Sequence, residues 1–194
     1  MINKKKLREN ILNQPPINQN TEIDKKKTLA EKWFVNLRDQ ICNNFAKIEC
    51  NFKINNNFEK VSEVKSPIFK QKKWDRDGGG GGVISIMKGD VFEKVGVNIS
   101  TVYGKFSDKF KSQIPGAEKT GDFWASGISV VAHMNNPFVP AAHMNTRFLV
   151  TGLGENRKFW FGGGCDLTPM LPDKKSVNFF HNELKSMCDK YDKK

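Results

Sequence analysis

GISVVAHMNNPFVPAAHMNTRF, Gly127 to Phe148, is the stretch whose reading decides the architecture. It reads as two alternating strands around a loop holding Pro137 and Pro140, and it carries two of the three histidines of the chain. Successive side chains of a strand point to opposite faces, so Gly127, Ser129, Val131 and His133 share one face, and Ile128, Val130 and Ala132 the other. On the returning strand His143, Asn145 and Arg147 lie opposite to Met144, Thr146 and Phe148. A loop symmetric about Phe138 predicts an antiparallel register with His133 opposite His143, Val131 opposite Asn145, and Ser129 opposite Arg147. One face then presents Ser129, His133, His143, Asn145 and Arg147 together. Such a set suits a multiply charged carboxylate ligand or a metal. It also describes the wet side of an ordinary sheet, and the pattern alone leaves both open.

Outward from the hairpin, Val83–Met87 and Val95–Val102 read as strands with Lys88-Gly89-Asp90 turning between them, and Phe106–Thr120 as a polar loop with a Pro115-Gly116 turn. Trp74–Gly82, WDRDGGGGG, reads as a flexible loop, since a glycine run is a poor strand or helix interior. Phe58–Val64 is a candidate strand. After the hairpin, Lys158–Phe161 is a strand ending at Gly162-Gly163-Gly164, followed by Asp166 where backbone can approach a ligand closely. Residues 1–27 are Asn- and Lys-rich and broken by Pro15 and Pro16, and read as a flexible basic leader. A helix is predicted from Thr28, capped with Glu31, carrying Ala30, Trp33, Phe34, Leu37, Ile41, Phe45 and Ile48 as its apolar stripe. A last helix, Lys174–Tyr191, has Val177, Phe180, His181, Leu184, Met187, Cys188 and Tyr191 on one stripe, which turns His181 inward.

The 194 residues suit one domain with a real core, residues 28–194 following the leader. The formal charge of +11 first suggests a basic nucleic-acid-binding protein. Residues 1–76, however, hold 17 Lys and Arg against 9 Asp and Glu, while residues 77–194 hold 15 against 12. The excess sits outside the motif region, so no nucleic-acid partner is expected. Four cysteines without CxxC spacing, no secretory leader and no apolar run near the roughly 20 residues of a membrane span point to a cytoplasmic chain with no transmembrane segment.

Three separated motifs, GVNIS (Gly96–Ser100), the histidine hairpin and FWFGGGCDLTP (Phe159–Pro169), together resemble the oxygen-dependent coproporphyrinogen III oxidases of haem and porphyrin biosynthesis, in that family's order and near its spacing. The resemblance runs from about Trp74 to Cys188. It implies an α+β fold, a large antiparallel sheet flanked by helices, of which this chain holds the N-terminal portion and is incomplete relative to the family fold. It implies the aerobic oxidative decarboxylation of coproporphyrinogen III to protoporphyrinogen IX, with molecular oxygen as co-substrate and no organic cofactor. By the same resemblance Ser129, Asn145, Thr146 and Arg147 bind substrate, and His143 donates a proton. Asp166 faces the pyrrole nitrogens. His133, His143 and His181 are ligands in members that use a divalent metal, His181 lying twelve residues beyond Pro169 as the family has it. The family is homodimeric.

The chain departs from the family in Ser100-Thr101-Val102-Tyr103, where the family has histidines, and in Cys165, where an aromatic is common. The family's fourth candidate metal histidine, a glycine-arginine substrate motif and its dimer-forming segment lie beyond the match. The expectation is therefore an oxidoreductase by descent that is completed by a second chain, as half of a split enzyme, or else a non-catalytic fragment that at most binds porphyrinogen.

Overall fold

The computed structural model describes residues 22–56, 68–154 and 157–193. Its elements are α1 (Glu22–Asn55), β1 (Lys70–Asp75), β2 (Gly80–Met87), β3 (Phe92–Lys105), a short α2 (Asp108–Lys111), β4 (Asp122–Met134), β5 (Ala141–Thr151), β6 (Lys158–Thr168) and α3 (Lys174–Tyr191). The six strands form one sheet in sequence order, every neighbouring pair antiparallel. This is the α+β arrangement the sequence implies.

Alternation gives the sheet two unlike faces. Met87, Val95, Val97, Ile128, Val130, Ala132, Phe148 and Val150 point one way and meet Ala30, Phe34, Cys42 and Ala46 of α1 in a single core. Phe148, 1 % exposed, is wedged against Trp124, Phe159 and Phe161. Burial pushes the Cys42 thiol up to about 11, so it packs as a small hydrophobe rather than a nucleophile. The other face carries no such cover among the described residues.

α1 begins at Glu22, inside the expected leader, and Thr28 is not its cap: the Thr28 hydroxyl donates to the Asp24 carbonyl one turn earlier. Acidic Glu22 and Asp24 sit at the positive end of the helix dipole. Asp24 is also tied to Lys27 and Arg157, which fastens the first turn to the sheet end. The buried stripe is rotated from the expected one. Trp33 and Ile48 are exposed, whereas Cys42, Ala46 and Glu49 are buried. Glu49 is 1 % exposed and its carboxylate accepts the backbone N–H groups of Asp90, Val91 and Phe92, clamping the β2–β3 turn to the helix.

The first glycine run divides, Gly78 and Gly79 turning between β1 and β2 as a loop, and the rest of both runs is strand. Gly80–Gly82 open β2, and Gly162–Gly164 lie in the middle of β6, which continues to Thr168. A Cβ on Gly81 would sit 2.3 Å from the Trp74 carbonyl oxygen, and one on Gly163 would sit 2.2 Å from that of Asn145. The neighbouring strands approach more closely than any side chain permits. The candidate strand Phe58–Val64 lies outside the described residues.

α3 has the expected bounds and is capped by Asp173, whose carboxylate accepts the N–H groups of Lys175 and Ser176. None of its residues is buried. Among the described residues no helix is long and apolar enough to cross a membrane.

Candidate active site

The uncovered face of β3–β6 is arranged in cross-strand rows. One row runs Gly96, Val131, His143, Asp166; the next Asn98, Ser129, Asn145, Gly164; the next Ser100, Gly127, Arg147, Gly162. The candidate residues Ser129, His133, His143, Asn145, Arg147 and Asp166 thus do share one face.

The hairpin register differs from the expected one by two residues. Val131 pairs with His143, Ser129 with Asn145 and Gly127 with Arg147, and the β4–β5 pairing ends at Ala132 and Ala142. The loop is therefore centred on Pro137. It is held there by Asn135, whose N–H donates to the Val91 carbonyl and whose amide donates to the Gly89 and Asp90 carbonyls of the β2–β3 turn. A slip of two preserves the faces, because the side-chain period is two. His133 now lies diagonal to His143, within aromatic reach. The rings meet edge to face with centroids 5.2 Å apart and Nε2 atoms 3.0 Å apart.

On its other side His143 is oriented by Asp166, its register partner on β6: Nδ1 lies 2.7 Å from the carboxylate Oδ1. Thr168 donates to the same oxygen. The hydrogen bond from His143, then its charge, holds the Asp166 carboxyl below the usual carboxylate range, with Thr168 adding to the effect. A proton on Nδ1 leaves the Nε2 lone pair of neutral His143 facing His133. Asp166, His143 and His133 form a continuous chain along one edge of the face.

Arg147 stands two rows along from His143, exposed, with Nη2 donating to Asn145 Oδ1 at 3.0 Å. Its register neighbours on both sides are glycines, Gly127 and Gly162. A Cβ on Gly164 would meet nothing within 4 Å, and one on Gly162 only the Trp160 ring at 3.9 Å. These glycines keep the floor low beside the polar groups. Gly164 lines an open cleft of about 500 Å³ whose walls include Ser129, Val131, His143, Asn145 and Asp166. Sequence reading took Gly162–Gly164 as the end of a strand at a place of close backbone approach to a ligand, not as part of the strand itself. Their period-two placement opposite Asn145 and Arg147 was the signal available.

Two sequence candidates fall elsewhere. The Thr146 side chain lies on the α1 side of β5, between Ile128 and Gly163 in register, away from the face that carries the other candidates. His181 is exposed on α3, its ring against that of its neighbour Phe180. No group of three or more His, Cys, Asp or Glu side chains converges to hold a metal among the described residues. The expected inward turn of His181 toward the hairpin pair is thus corrected. Its stripe follows helical spacing, but α3 buries none of it.

Comparison with known proteins agrees with the motif reading. The family model for coproporphyrinogen III oxidase matches residues 29–194. The oxygen-dependent coproporphyrinogen-III oxidase of Rickettsia bellii (strain OSU 85-389) is 51% identical over 168 residues, 87% of this chain and 56% of the relative. Those of Rickettsia rickettsii (strain Sheila Smith) and Rickettsia akari (strain Hartford) are 51% and 50% identical over 166 residues, 86% of this chain and 56% of each relative. The chain spans about half the length of these curated relatives. With the model match covering nearly all of the described fold, the chain belongs to the coproporphyrinogen III oxidase family.

Proposed function

We propose that the uncovered face binds coproporphyrinogen III and carries part of the site at which two of its propionates are lost as carbon dioxide, leaving vinyl groups, with molecular oxygen as electron acceptor. The observation that carries this reading is the Asp166–His143–His133 chain on the same face as Arg147, with Gly162 and Gly164 keeping the floor low between them. A bulky tetrapyrrole lying against the sheet needs a surface without tall side chains, and its carboxylates need a planar donor. Arg147, flanked by Gly127 and Gly162, can offer a propionate two parallel N–H groups. Asn145 orients that guanidinium and Ser129 adds a hydroxyl in the adjacent row. His143, its Nδ1–H held by Asp166, turns Nε2 to His133, so a proton passed to the bound ring moves through this histidine pair. Asp166 stays ionised in this role and fixes the orientation of the His143 ring through its Nδ1 contact.

His133 and His143 offer two imidazole nitrogens to a divalent ion, and no third ligand joins them among the described residues. That set is short of the three protein ligands typical of a catalytic metal, so no step is derived through one. Oxygen as co-substrate, the absence of an organic cofactor, a cytoplasmic location and a homodimer belong to this proposal through the family resemblance alone.

Fluorescence quenching of coproporphyrin III, titrated into the chain, tests the reading without requiring turnover. Arg147→Ala should weaken binding at least tenfold, since a charged hydrogen-bonded pair is worth about 1.5–3 kcal/mol. Arg147→Lys should lie between the two because an ammonium cannot bind bidentately. Equal affinity in all three proteins removes Arg147 from the site.

A further inference from the structure

The sheet runs in sequence order, so its two edges are β1 and β6, and they are built differently. β1, KQKKWD, carries Lys70, Lys72 and Lys73, the kind of charge that keeps an edge from pairing with another chain. β6, KFWFGGGCDLT, has no charge between Lys158 and Asp166. On its α1 side Phe161 is 64 % exposed and Phe159 43 %. No described strand lies beyond β6, and α3 buries none of its residues, so α3 does not cover that edge. One alternate set of β6 backbone groups bonds to β5, and the other set faces outward.

The sequence of β6 is complementary to itself. Antiparallel and centred on Gly162, it sets Phe161 opposite Gly163 of a second copy, Trp160 opposite Gly164, Phe159 opposite Cys165 and Lys158 opposite Asp166. Each aromatic ring then meets a small residue on its own face, and each cation meets an anion. Asp166 holds His143 and Thr168 through Oδ1, which leaves Oδ2 for the lysine. A centre shifted to Gly163 loses the match, placing Trp160 against Asp166 and Lys158 against Thr168. We propose that two copies of this chain pair through β6, symmetric about Gly162, into one continuous sheet with six strands from each. The two cores lie on one side of that sheet and the two uncovered faces on the other. Trp160 of each copy stands beside Gly164 of its neighbour, at the cleft that Gly164 lines, so the second copy supplies a wall of the site. The dimer segment implied by the family resemblance lies beyond the match, and this interface is a separate one.

Sedimentation equilibrium of the full chain and its variants tests this. The parent should sediment as a dimer. Lys158→Glu sets like charges opposite each other at two symmetric positions and should weaken association about tenfold. Adding Asp166→Lys to Lys158→Glu restores opposite charges and should return association to within about threefold of the parent, a rescue that a misfolded variant would not show. In a chain carrying Cys165→Ser and Cys188→Ser, Gly162→Cys should form a disulfide-linked dimer under mild oxidation and Gly164→Cys should not, since only position 162 faces itself across the axis. A monomeric parent overturns the proposal, as does a chain that pairs only with a polypeptide supplying the remaining length of its relatives. A dimer that Lys158→Glu leaves unchanged, a double variant no tighter than Lys158→Glu alone, or equal cross-linking through Gly162→Cys and Gly164→Cys overturns it as well.

Discussion

The two faces of this one sheet are built from alternate residues of the same strands, and they obey opposite rules. Toward α1, Val95, Val97, Ile128, Val130 and Phe148 fill space completely and are at most 7 % exposed. Away from α1, Gly96, Gly162 and Gly164 leave space, and among them stand His133, His143 and Asp166, hydrogen-bonded in a chain, and Arg147, hydrogen-bonded to Asn145. A residue's neighbour in sequence is therefore a poor guide to its role. Its neighbour two positions away is a good one. The contrast teaches that stability is concentrated on one side and ligand chemistry on the other, so substitutions on the two sides should separate these properties.

The largest effect is expected on the covered side. Phe148→Ala empties the position that Trp124, Phe159 and Phe161 pack against and should cost about 3–5 kcal/mol in denaturant unfolding. A cost below about 1 kcal/mol would mean that α1 and β6 do not share the core described.

A sharper comparison uses adjacent residues of β6. Gly163→Ala forces a Cβ to within 2.2 Å of the Asn145 carbonyl and should destabilise by about 1–3 kcal/mol through strand displacement. Gly164→Ala meets nothing within 4 Å and should change stability by no more than about 0.5 kcal/mol, while weakening coproporphyrin III binding by raising the floor. Equal melting temperatures for the two variants would break the comparison.

The smallest effect is electrostatic. Carboxyl-carbon NMR titration should find Asp166 ionising below the ordinary carboxylate range, and His143→Ala should move it back up. Because its folded-state value is depressed, whatever stability Asp166 lends is present above the ordinary carboxylate value and is lost as pH falls through the depressed one. An Asp166 that titrates identically with and without His143 would uncouple the two.

The parity of the hairpin was legible because period-two alternation survives a slip of two residues. The register was not, because Asn135 fixes the loop through carbonyls some 45 positions away in the chain. The glycine runs misled for a related reason. Isolated propensity makes glycine a strand breaker, but Gly81 and Gly163 are needed where one strand crowds another, and only the neighbouring strand reveals that. Thr28 and Glu31 satisfied the spacing of a capping box, yet the ion pairs of Asp24 carry the helix to Glu22. His181 failed in the opposite sense: an apolar stripe identifies a face that can be covered, not a surface that covers it. What the three motifs conveyed well was the family, since Gly96–Ser100, the hairpin and Phe159–Pro169 come together on adjacent strands β3 to β6.

The most direct test of the two-face account is amide chemical-shift mapping of the isotopically labelled chain during titration with coproporphyrin III. The account predicts that Ser129, His143, Asn145, Gly162, Gly164 and Asp166 shift together, saturate at one ligand, and do so while Ala30, Phe34, Cys42 and Ala46 of α1 stay fixed. Shifts centred on α1 or on its exposed lysines, with the β4–β6 residues unmoved, would contradict it.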